Sequence, residues 1–157
     1  MAELPFLGAG VSFREAWRWE VIRHRGELGA VECMPEDVAG AAGMRDLVLM
    51  RDAVPILLHG IGLSLGSAEG LDAERVRHTA RVAEVHLAGG VVHGGQYVDS
   101  HTRPVPEESW ALLEWLVSRA PVRAVIVERD DELPPFADLL AEVRRARKVL
   151  DAADTAR

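Results

Sequence analysis

Apolar positions along this chain follow two patterns. Short unbroken runs recur at Leu7 to Ser12, Ala30 to Met34, Pro55 to Gly60, Glu84 to Ala88 and Arg123 to Glu128. Between them lie longer stretches in which apolar residues return every three or four positions. Runs of the first kind, separated by stretches of the second, read as buried parallel strands joined by helices. The spacing predicts a helix after Ser12 to about Arg25, presenting Phe13, Trp17 and Val21. Ser12 would be its N-cap, with Glu15 three residues on, the capping-box spacing. Further helices are predicted at Met44 to Ala53 and at Asp72 to Val82. Another runs from Glu107 to Ala120, with Pro106 suited to its first turn and Trp110, Leu113, Leu116 and Val117 on one face. A last helix follows Pro134-Pro135, with Phe136, Leu139, Leu140, Val143 and Leu150 on one face.

These elements make about five β/α units in a single domain spanning residues 1–157. A closed (β/α)8 barrel needs eight units and about 250 residues. The expected fold is therefore α/β, a truncated, TIM-barrel-like arrangement that is open or incomplete. One junction is unusual: the third helix runs into Glu84-Val85-His86 with no Gly, Pro or Asn between. Either the helix ends early, near Thr79, or the chain is a longer barrel without its middle. In the second case the strands at Ile56 and Glu84 are neighbours or edges. A crossover helix of this length predicts direct pairing between them. The alternative is a homodimer that covers both edges.

Composition narrows the function. The chain has 157 residues, 48% apolar, and a formal net charge of -7. That balance argues against nucleic acid, which selects a basic surface. Arg144, Arg145, Arg147 and Lys148 read as a solvated helix face. The single cysteine, Cys33, excludes an intrachain disulfide and reads as a buried structural thiol. No basic segment followed by a long apolar stretch opens the chain, and no run approaches the roughly 20 residues of a membrane span. The expected location is cytoplasmic.

The chemistry sits at the ends of the runs. Ile56-Leu57-Leu58 stops at His59, Val85 at His86, and Ala124-Val125-Ile126-Val127 at Glu128; Asp99-Ser100-His101 lies between the last two. Parallel strands carry functional residues at their C-terminal ends, so these side chains are candidates for one cluster. Imidazole with carboxylate suits iron or zinc. The glycine-rich stretch His59 to Ser67 lacks the Gly-Lys-Ser/Thr ending of a P-loop and reads as a tight loop.

The string Pro55-Ile-Leu-Leu-His-Gly-Ile-Gly-Leu-Ser-Leu-Gly-Ser67 resembles the signature of uncharacterised protein family 0276, also called domain-of-unknown-function family 692. This is the family of the iron-dependent oxidase of methanobactin biosynthesis. Similarity extends to Gly8 to Ser12, Val31 to Glu36, Val85 to Gly90, Asp99 to Thr102 with Pro104-Val105-Pro106, and Ile126 to Asp130. The resemblance implies a barrel holding two or three irons that oxidises cysteines of a ribosomal peptide with O2, aided by a partner protein that presents the peptide leader. It places His59, His86, Asp99, His101 and Glu128 on metal-ligand positions and Glu32 and Glu36 in an acidic motif of the second strand. The family's middle region, with its Glu-His, Glu-Asn and Asp-x-x-Asn strand ends, has no counterpart here. By resemblance, strands four to six are missing, which implies fewer irons or none. Two other readings stay open: a non-catalytic remnant that binds a peptide or partner, and a mononuclear metal hydrolase or isomerase.

Overall fold

In the computed structural model, which describes residues 5–34, 45, 48–59 and 83–155, the apolar runs form a parallel sheet. Its strands are β1 (Gly8–Ser12), β2 (Val31–Cys33), β3 (Ile56–Leu58), β4 (Glu84–Leu87) and β7 (Ala124–Val127). The order across the sheet is β3-β2-β1-β7-β4, with every neighbouring pair parallel. Among the described residues the sheet does not close. It is an α/β arc compatible with an incomplete TIM-barrel-like fold.

Alternation along the strands sorts side chains onto two faces. Ala9, Val11, Val31, Cys33, Val85, Leu87, Val125 and Val127 join the hydrophobic core beneath the helices. Residues between them, Glu32, His86 and Ile126 among others, point to the opposite face. The helices that cover the core are α2 (Glu107–Val117) and α3 (Phe136–Thr155), and α3 packs across β1 and β7. Trp110, Leu113, Leu116 and Val117 of α2 are buried, as are Phe136, Leu139, Leu140, Val143 and Leu150 of α3, so both apolar stripes do what their spacing predicts. Cys33 is a buried thiol, as its place in an apolar run predicts.

Two expectations need correction. First, Ser12 caps no helix: it belongs to β1 and its Oγ accepts a hydrogen bond from Arg14 at 2.8 Å. A 3-10 turn at Glu15–Trp17 intervenes, and α1 spans only Arg18–Arg23. Second, β3 does not pair with β4. The two lie at opposite edges of the sheet, because β1 and β7 occupy the intervening positions beside β2 and β4. Asp99 and His101, to which the sequence pattern assigns no element, lie on one strand. They belong to a hairpin of β5 (Gly89–His93) and β6 (Gln96–Arg103), turned at Gly94-Gly95. Both turn glycines have positive φ, 58° and 80°, as a two-residue type I′ turn requires. Arg144 and Lys148 of α3 are exposed, and its basic side carries surface ion pairs: Arg144 binds Glu27, while Arg145 binds both carboxylate oxygens of Glu107 and stacks 4.5 Å from the Trp110 ring.

Of the helix expected at Met44 to Ala53, residues 48–51 are helical and Met50 is buried. The expected helix at Asp72 to Val82, the loop following His59 and Glu36 lie outside the described residues. No described helix is long and apolar enough to cross a membrane.

Candidate metal centre

Glu32 is the second residue of a strand whose other two side chains, Val31 and Cys33, enter the core. It therefore faces the opposite side, 4% exposed. His59 follows β3 directly, and its backbone N–H donates to the Cys33 carbonyl at 2.9 Å, which continues the β2–β3 ladder to the strand end. Glu128 is fixed the same way after β7, donating its N–H to the Leu87 carbonyl at 2.9 Å. His86 lies within β4 on the face opposite Val85 and Leu87.

These four side chains converge. Glu32 Oε1 lies 3.0 Å from His59 Nδ1 and 3.1 Å from His86 Nε2. Glu128 Oε1 lies 3.2 Å from His86 Nδ1. The His59 and His86 rings are 5.3 Å apart. One ligand atom from each of Glu32, His59, His86 and Glu128 fits within 4.8 Å of the others. His86 and Glu32 stand on strands three places apart, roughly 14 Å along a flat sheet. Their contact shows that the sheet curls with this face inward, as in a barrel.

Charge is concentrated here. Burial would push the His86 imidazole down, but the carboxylates of Glu128, Glu32 and Glu84 outweigh it and raise the ring from 6.5 to about 11. Burial would raise Glu128, but its bond to His86 and the charges of His86 and His101 hold it below its ordinary value. One polar atom stays unanswered: Glu32 Oε2 is buried with no hydrogen-bond partner among the described residues. An orphaned carboxylate oxygen in a cleft of two imidazoles and a second carboxylate is a donor set that fits a divalent cation.

Asp99 and His101 stand next to this group, outside its tightest cluster. His101 Nδ1 is 3.6 Å from Glu128 Oε2, and its Nε2 is 3.3 Å from Asp99 Oδ1. Glu84, Asp130 and Arg14 were not singled out by the sequence. Glu84 shares the His86 face two residues earlier, at 3.5 Å from Nε2, a spacing that strand alternation makes readable. Asp130 and Arg14 become visible only once the hairpin is placed. Behind the strand end, the buried Arg129 donates to the Glu128 carbonyl at 2.9 Å and to Glu142 of α3 at 2.8 Å.

The model of the RiPP precursor modification enzymes MbnB/TglH/ChrH matches this chain over residues 8–84 and 77–151. The chain belongs to this family. The two matches overlap at residues 77–84. Relatives include a UPF0276 protein of Rhizorhabdus wittichii, 42% identical over 72 residues, covering 46% of this chain and 26% of that protein. One from Caulobacter vibrioides is 45% identical over 67 residues, or 43% of this chain and 24% of its own length. A third, from Streptomyces avermitilis, is 39% identical over 74 residues, 47% and 15%. The matched part of the chain thus spans about a quarter or less of these relatives.

Proposed function

We propose that this chain binds one iron through Glu32, His59, His86 and Glu128 and acts on a ribosomally made peptide, oxidising its cysteine residues with O2. The observation that supports it most is the buried Oε2 of Glu32, without a partner among the described residues, inside a convergent imidazole–carboxylate group in a member of a peptide-modifying family. Bound iron would supply the activation of O2. Glu32 and Glu128 would neutralise the cation, His59 and His86 would hold it from opposite edges of the sheet, and Asp99 with His101 would face it from the hairpin. A partner protein that presents the peptide leader, and a cytoplasmic setting, complete this reading. Glu36 belongs to it only through the family's acidic motif.

The test is protein prepared without oxygen, loaded with Fe(II) and measured for bound metal. The expected result is about one iron per chain, lost in Glu32→Gln and His59→Ala. Two or more tightly held irons per chain, or none, would overturn it. Oxygen uptake with a cysteine-containing peptide then separates this reading from a metal hydrolase, which would retain metal and consume no O2.

A further inference from the structure

Asp130 lies two residues beyond Glu128, on a different element from His101, yet grips His101 twice. Its backbone N–H donates to the His101 carbonyl at 3.1 Å, and its Oδ2 accepts from His101 Nδ1 at 2.9 Å. Its other oxygen, Oδ1, accepts from Arg14 Nη2. Arg14 is itself fixed by Nη1 donating to the Phe13 carbonyl at 2.5 Å and Ser12 Oγ at 2.8 Å. The hold has a conformational counterpart. His101 has φ 53°, in the left-handed region, an arrangement that costs a non-glycine residue free energy and persists only where the surroundings impose it.

The same His101 Nδ1 has a second acceptor within reach, Glu128 Oε2 at 3.6 Å. Whichever carboxylate takes that N–H decides where Glu128 points. We propose that Asp130, backed by Arg14, is a positioning residue: it claims the Nδ1–H of His101, fixes the ring, and leaves the Glu128 carboxylate turned toward His86. A carboxylate that orients an imidazole in this way also fixes its tautomer, so Nε2 is left to face Asp99 and the cleft. The assignment rests in part on the metal reading above, but the ring's orientation is a property of the metal-free chain and is tested there.

The chemistry of Asp130 supplies its own control. In Asp130→Asn the amide oxygen can still accept from His101, but the amide NH2 then meets Arg14, donor against donor. Replacing Arg14 by Gln at the same time restores an acceptor for that NH2. Imidazole 15N–1H correlation spectra of the metal-free protein, assigned with His101→Gln, read the outcome. We expect a protected Nδ1–H signal for His101 in the wild type, lost in Asp130→Ala and Asp130→Asn and recovered in Arg14→Gln/Asp130→Asn. Anaerobic Fe(II) titration should show affinity weakened about tenfold or more in Asp130→Ala, the usual loss when such a partner is removed. A His101 signal unchanged in Asp130→Ala and Asp130→Asn would overturn the proposal. If those variants do not fold, an Arg14→Gln/Asp130→Asn protein lacking the signal would do so equally. A signal that follows the prediction while no variant or wild type binds Fe(II) would leave the positioning role standing and remove the iron.

Discussion

His86 ties the site together, since its two ring nitrogens contact carboxylates from β2 and from the end of β7. Its raised value, about 11 against an ordinary 6.5, makes it a cation at neutral pH in the metal-free chain. That stabilisation is fully present below pH 6.5 and is lost as pH climbs through about 11. Glu128, lowered from 4.5, contributes above that value and loses its contribution as pH falls below it. Thermal unfolding with a chelator present should therefore show greatest stability between pH 4.5 and 6.5 and decline on the alkaline side. Metal uptake should run the other way, because a ligand imidazole must first surrender its proton. Anaerobic Fe(II) affinity should rise across the range where metal-free stability falls; parallel trends would contradict this. A second residue-scale expectation concerns Arg129, 3% exposed and paired to Glu142. Arg129→Ala removes the charged partner of Glu142, leaving it the Val105 N–H, and should cost about 3 kcal/mol in denaturant unfolding, as for other pairs broken in the interior.

Among the elements, the hairpin carries Asp99 and His101 to the strand ends, and it depends on Gly94 and Gly95 adopting positive φ. Gly95→Val should fray the hairpin while the sheet and helices stay folded. Amide exchange should quicken at Val91, Val92, Tyr97 and Val98 with little change in α3; unchanged exchange in the hairpin would contradict this. Much of the element plan was legible in the sequence. Five apolar runs became the five parallel strands, and the stripes at Trp110 and Phe136 became buried helix faces. The hairpin was not, because Gln96 to Arg103 is exposed on both faces for half its length and so carries no apolar alternation. Its readable signal was Gly94-Gly95 between two valine-bearing segments. Glu32 entered only through the resemblance, less securely than the strand-end residues, and it sits mid-strand. Only the in-and-out alternation with Val31 and Cys33 reveals that it faces the histidines.

For the whole molecule, strand order was the part that local pattern did not fix. Pairing β3 with β4 was expected from helix length alone, yet a crossover helix says how far a chain can reach, not which neighbour is already taken. β1 and β7 pair over four residues and β4 extends the sheet beyond β7, which leaves β3 and β4 at opposite rims. Among the described residues, nothing pairs with the outer side of either strand. Such rims recruit other chains. Sedimentation over a range of protein concentrations should show self-association through these edges, weakened by Leu57→Pro in β3. A strictly monomeric protein at high concentration would contradict it.

The curl that brings His86 to Glu32 has a mechanical meaning. In a closed barrel, curvature is locked by a full ring of backbone hydrogen bonds. Among the described residues the arc is open and no such ring resists flattening, and the four candidate ligands come from β2, the end of β3, β4 and the end of β7, both rims included. An ion held by them would act as a drawstring across the mouth of the arc, bearing the hoop tension that absent ladder bonds would otherwise carry. Occupancy and shape then become one variable, so that losing the ion slackens the whole sheet and gaining it cinches both rims inward.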